Sequence, residues 1–107
     1  MNFNAKFNSD IDFSQMCVDG IATFNETDLS GADLRDVKLS GANLRKANCT
    51  DAELSQASLE EANLERSIFN RADLFGTKLN GSAFYGAVFG DAQINEETEF
   101  GDRCVYD

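Results

Sequence analysis

Apolar and polar positions along this chain repeat with a period of five. Every fifth residue from Phe24 to Ile94 is large and apolar, running Phe24, Leu29, Leu34, Leu39, Leu44, Cys49, Leu54 and onward through Phe69, Leu79, Phe84 and Phe89. Two residues before each stands a small one, as in Ala22, Thr27, Ala32, Ala42, Ala62, Ser67, Ala72 and Ala92. A period of five fits neither an α-helix nor a plain strand. Within each unit, though, the two apolar positions are two apart, as on one face of an extended segment. The other positions are polar or glycine, as in Ser30-Gly31, Ser40-Gly41 and Asn80-Gly81. Each unit therefore predicts a short extended piece followed by a tight turn, with glycine easing the backbone at the corner. A chain that turns the same way at every unit must coil, and its coils stack about 4.8 Å apart.

The ends keep the pattern with slips. Phe7 to Phe13, Val18 to Phe24 and Ile94 to Phe100 are six-residue steps, and the repeat then decays through Gly101-Asp102-Arg103-Cys104-Val105-Tyr106-Asp107. A short turn of helix or loop is expected after Asn95. The chain contains no proline, which suits segments that nearly all need their N–H groups paired.

Units such as Ala32-Asp33-Leu34-Arg35-Asp36, Ala42-Asn43-Leu44-Arg45-Lys46, Ala62-Asn63-Leu64-Glu65-Arg66 and Ala72-Asp73-Leu74-Phe75-Gly76 resemble the A(D/N)LXX unit of pentapeptide repeat proteins. The resemblance covers roughly residues 5 to 105. It implies an all-β fold, a right-handed quadrilateral β-helix of about five coils, as one solenoid domain over 1–107. Its regular core would span 22–96, with irregular end coils at 1–21 and 97–107. Four sides to a coil would set the large residues in four inward ladders: Phe24/Leu44/Leu64/Phe84, Leu29/Cys49/Phe69/Phe89, Leu34/Leu54/Leu74/Ile94 and Leu39/Leu59/Leu79/Phe100. Inward Thr27, Ser67, Thr77 and Ser82 are expected to hydrogen-bond to backbone.

Function then falls to the surface. The net charge is −10, with 19 acids against 9 bases and no histidine. Direct binding to nucleic acid is disfavoured, since that needs clustered Lys and Arg. Charge gathers at the ends: residues 1–33 and 91–107 hold 12 acids and 2 bases, while 34–90 balance seven against seven. Acidic ends discourage end-to-end stacking of coil edges. The second reading is mimicry of DNA phosphate toward a basic partner, as in family members that protect type II topoisomerases as long acidic dimeric rods. This chain departs from them in its shortness, its neutral middle and its lack of an insertion loop within the repeat.

Two surface features stand out. Asp33, Glu53 and Asp73, followed by Gln93, form an acidic stripe before the large residue on one face. Stacked carboxylates can gather a hard cation, but a solvated Asp/Asn position typical of the repeat is the simpler reading, and no metal is assigned. Ile68, Phe75, Tyr85 and Val88 are outward apolar residues where earlier units hold Asn25, Asp28, Arg35 and Asn48. A concentration of this kind suggests an interaction patch, for a homodimer or another protein.

Catalysis fails on inventory. Without histidine, Ser/His and Cys/His arrangements are absent, and a tower of side-chain stripes offers no pocket. No cofactor is expected. Cys49 replaces leucine in a ladder and reads as a small buried hydrophobe. Cys17 and Cys104 lie at opposite ends, too far apart for a disulfide. The odd number of cysteines, the absence of a signal-peptide core and of any membrane-length apolar run point to the cytoplasm, and the resemblance to a bacterial source. The expected function is a non-enzymatic protein-interaction or scaffold module of unknown partner, and its rival is the DNA-mimicking topoisomerase regulator.

Overall fold

The computed structural model describes residues 17, 18 and 21–101, with side chains from Thr23 onward. The slips around Phe7 and Phe13, the side chain of Cys17, Cys104 and the terminal acids Asp10, Asp12, Asp19, Asp102 and Asp107 lie outside the described residues. The described chain opens with an antiparallel pair, β1 (Cys17–Val18) and β2 (Ile21–Ala22), in which Cys17 faces Ala22 and Val18 faces Ile21.

From Thr23 on, the chain returns above itself at regular intervals. Parallel bridges join Thr23 to Asn43, Asp28 to Asn48, Asp33 to Glu53 and so on to Asp73 with Gln93, each pair 20 residues apart. One return therefore takes four five-residue units. At each bridge the hydrogen bonds alternate: Leu44 N–H donates to Asn63 O at 2.7 Å, and Asn63 N–H donates to Ala42 O at 2.9 Å. Lys78 pairs with Glu99 at 21 residues. The extra residue is absorbed at the corner, where Thr98 N–H donates to Asn95 O and Glu97 N–H to Asn95 Oδ1. The six-residue step thus widens a turn and keeps Phe100 in the large position.

The turn geometry explains the unit's sequence. Each corner is closed by a hydrogen bond three residues back, such as Ala47 N–H to Leu44 O at 3.0 Å. Its third residue has positive φ, as in a type II turn. Glycine fills that place at Gly41, where a side chain would meet open space, so the backbone alone is what favours it. Among the described residues nine that are not glycine accept the same conformation, including Glu26, Lys46, Gln56 and Arg66, all with φ between 57° and 62°. The corner is therefore imposed by the stack rather than by glycine, at a cost of about 1 kcal/mol each.

The Asp or Asn before each large residue has a local task. Its side-chain oxygen accepts the N–H two residues on: Asn43 from Arg45, Asn48 from Thr50, Asn63 from Glu65 and Asp73 from Phe75. Such Asx turns hold the chain at the corner entrance. Asn63→Ala, which frees the Glu65 amide, is expected to lower stability by about 1 kcal/mol, read as a lower urea midpoint at unchanged slope.

The large positions are buried from Phe24 through Leu79, and the small ones are buried beside them. Inward hydroxyls are satisfied by backbone: Ser67 donates to Leu64 O, Ser82 to Leu79 O at 2.7 Å and Thr77 to Leu54 O at 2.8 Å. Aromatic rings fill the later coils, with Phe69 stacked on Phe89 at 5.2 Å and Phe84 edge-on to Phe89 at 5.7 Å. Two ladder residues depart from expectation. Ile94 is 55% exposed and Phe100 37% exposed. Both keep the inward phase of the repeat, but no described coil lies above them.

Candidate functional site

The acidic stripe is a contiguous column, since Asp33 bridges Glu53 and Glu53 bridges Asp73. Its members are engaged differently. Arg35 grips Asp33 with two hydrogen bonds, Nε to Oδ1 at 2.8 Å and Nη2 to Oδ2 at 2.6 Å, and reaches Glu53 Oε2 at 3.6 Å. The hydrogen bond from Arg35 to Asp33, then the charges of Asp33 and Glu53, hold the guanidinium above its ordinary pKa. Asp73 is turned to the Phe75 amide instead. Among the described residues no group of three or more His, Cys, Asp or Glu is arranged to hold a metal ion. The column is a hydrogen-bonded wall of the repeat.

The four apolar residues do not form one patch. Ile68 and Val88 are bridged to each other, at the top of a column that begins with Asp28 and Asn48. Ile68 is half-buried and Val88 is 46% exposed. Tyr85, also 46% exposed, enters the corner that leads to this side, a turn closed by Ala87 N–H on Phe84 O. Phe75 lies elsewhere. Its carbonyl accepts from Gln56, and Ser55 accepts from Asp36 below, whereas Tyr85 continues the column of Arg45 and Glu65. Those columns are two units apart in a four-unit return, so Phe75 faces away from Ile68, Tyr85 and Val88.

Sequence reading missed the ion pairs that cross coils, Arg45 with Glu65 at 3.9 Å among them. Arg71 grips Asp51 across coils, Nε to Oδ1 at 2.9 Å and Nη2 to Oδ2 at 3.1 Å. The signal was available as opposite charges 20 residues apart at the third turn position, but the spacing means nothing until the return distance is known. The hydrogen bond from Arg71 holds the Asp51 carboxyl below its ordinary value of 3.8. A carboxyl lowered by folding stabilises above its unfolded pKa, and that contribution is lost as pH falls through the folded value. Wild type should therefore be more stable than Asp51→Asn at neutral pH, and the two melting temperatures should converge below pH 3.8. A gap that persists in acid would show that packing, not the ion pair, is responsible.

Cys49 is a core group. Burial, then the charge of Asp28, pushes its thiol up to about 12, so it stays protonated and unreactive. Among the described residues no helix is long and apolar enough to cross a membrane.

The protein resembles a pentapeptide repeat protein of the Arabidopsis thaliana thylakoid lumen, with a TM-score of 0.73 at 23% identity over 83% of this chain and 57% of that one. A pentapeptide repeat protein, Rfr23, of the cyanobacterium Cyanothece 51142 is similar at 24% identity and TM-score 0.45, covering 81% of this chain and 59% of that one. The chain thus spans less than three fifths of either relative. QnrB1, a plasmid-mediated fluoroquinolone resistance protein, is more remote, at 16% identity and TM-score 0.41 over 97% of this chain and 88% of that one. No curated protein sequence matches the chain. The sequence model for pentapeptide repeats matches residues 22–51 and 52–91, in 8 copies. With that match over well more than half its length, and a turn, a small residue and a large residue in every unit, this chain belongs to the pentapeptide repeat family.

Proposed function

We propose that this chain is a non-enzymatic protein-interaction module, folded as a single right-handed quadrilateral β-helix of about five coils. The observation that carries the reading is the change along one column, from Asp28 and Asn48 to the bridged Ile68 and Val88, with Tyr85 at the adjoining corner. Nothing in the repeat requires apolar side chains there, because the earlier coils stack equally well with polar ones. Apolar groups gathered on an otherwise polar wall favour contact with another protein surface.

The test is the double substitution Ile68→Asp and Val88→Asp. These outward positions should leave circular dichroism and melting nearly unchanged, while solution mass by light scattering falls or capture of a partner is lost. Unchanged mass together with unchanged capture would overturn the reading.

The acidic ends support one rival, a DNA-mimicking regulator of a type II topoisomerase. Against it, the middle of the wall is charge-balanced and paired, with Arg35 on Asp33, Arg71 on Asp51 and Arg45 within 3.9 Å of Glu65. A gyrase supercoiling assay decides it: neither inhibition nor drug protection at micromolar protein removes the rival.

A further inference from the structure

The wall that carries Ile68 also gathers the unneutralised positive charge of this acidic chain. It lies on the flank of the stack. Ile68 is bridged to Asn48 below and to Val88 above and is still only half-buried, so neighbouring coils do not cover it. Of the seven bases in residues 23–101, four border this wall: Arg45, Lys46, Arg66 and Arg71. Two are engaged within the fold, Arg45 within 3.9 Å of Glu65 and Arg71 on Asp51 at 2.9 Å. Lys46 and Arg66 are exposed, and neither has a side-chain hydrogen bond or ion pair with a described residue.

These two cations stand one above the other at the corner that enters the wall, where Lys46 N–H donates to Glu65 O and Arg66 N–H to Tyr85 O. The Arg66 stem leans on Gly86 in the coil above: a Cβ placed there would come within 3.2 Å of its Cγ. Glycine at that place keeps the stem beside Tyr85 uncrowded. The acids around the wall leave the two cations unmatched. Asp28 accepts from the Ser30 amide and hydroxyl, Asp51 holds Arg71, Glu65 faces Arg45, and Asp91 adds its charge on Arg71. Glu26, below Lys46, forms no ion pair with it.

Charge selects the occupant. Two cations are too few for nucleic acid, and a net charge of −10 repels it. A second copy is a poor occupant as well, since two-fold pairing of the wall with itself would set two unmatched cation pairs around one small apolar centre. We infer that this wall binds an acidic segment of another protein, in which Asp or Glu stands beside apolar residues. The apolar side chains of the segment would cover Ile68, Tyr85 and Val88, and its carboxylates would meet Lys46 and Arg66. The inference rests on the interaction reading above and adds to it the chemistry of the partner.

The probe is a ~8-residue peptide of alternating Leu and Glu, added to the ¹⁵N-labelled 107-residue chain. Binding should shift the amides of Lys46, Arg66, Ile68 and Val88. It should weaken at least about tenfold with Lys46→Glu plus Arg66→Glu, and likewise with Ile68→Asp plus Val88→Asp. The charge reversals fit the corner, because Glu26 and Glu61 hold the same positive φ of 60°, so circular dichroism should not change. A peptide of alternating Leu and Lys that binds as tightly overturns the inference, as does one of alternating Ser and Glu, since the contact would then be apolar alone or ionic alone. If the unsubstituted chain binds no peptide and its solution mass falls with Ile68→Asp plus Val88→Asp, a second copy covers the wall. That result overturns the acidic partner and spares the interaction reading. No peptide binding with unchanged mass overturns the inference too, and partner capture unaffected by the same substitutions then removes the interaction reading with it.

Discussion

Phe69→Ala is expected to lower the free energy of unfolding by about 3–5 kcal/mol, the largest single-residue effect in this protein. The Phe69 ring is 1% exposed and stacks on Phe89 at 5.2 Å with the planes 7° apart. Truncation removes the transfer contribution of the ring and leaves a cavity between two coils. The coils are tied by backbone hydrogen bonds at 2.8 Å from Phe69 N–H to Val88 O and 3.0 Å from Val88 N–H to Ser67 O. They cannot sink into the space without breaking that ladder, so relaxation recovers little. Phe89→Ala should cost less, because its ring is only partly buried. Urea denaturation of both variants checks the order. A loss under about 1 kcal/mol for Phe69→Ala would mean that the ring ladder contributes little to stability.

Ala72→Leu ranks second, at about 1–3 kcal/mol of destabilisation by overpacking. Ala72 is wholly buried in a column made of alanine throughout, Ala32, Ala52, Ala72 and Ala92. Bridges on either side fix the column's height: Asp73 N–H donates to Ala52 O at 2.9 Å and Gln93 N–H to Ala72 O at 2.8 Å. A leucine there has to displace Leu74 inward or part the coils. The neighbouring small column is more permissive, since it already holds Val37 and Thr77 around Ala57. Ala57→Val should therefore be much milder than Ala72→Leu. Melting curves of the two variants settle it, and equal losses would show that the second column is no more permissive than the first.

The surface is written in a weaker code than the core. Opposite charges at Asp51 and Arg71, or apolar residues at Ile68 and Val88, become neighbours only because the chain returns after 20 residues. A sequence whose units all share one pattern contains no mark of that return. Phe75 and Tyr85 show the consequence. Ten residues apart, they look like one cluster along the chain, yet they occupy sides two units apart. Ile94 and Phe100 show the converse. Their residue types and phase are those of the core, but burial also needs a coil above, which is a property of position in the stack.

The sequence by itself determined the five-residue unit, its inward and outward sides and the identity of the family. Side-chain volume in a narrow interior admits only a small and a large residue, two apart, and that constraint repeats in every unit. It also marked the Asp and Asn positions, whose oxygens act within two residues and so need no tertiary partner. Tertiary structure alone decided which residues meet across coils, because that depends on the summed rotation of successive corners. Those corners take positive φ at lysine, arginine and glutamate as well as at glycine, against the local preference of those residues, so local preference does not dictate them. The stack does, through the hydrogen bonds of bridges between residues 20 apart.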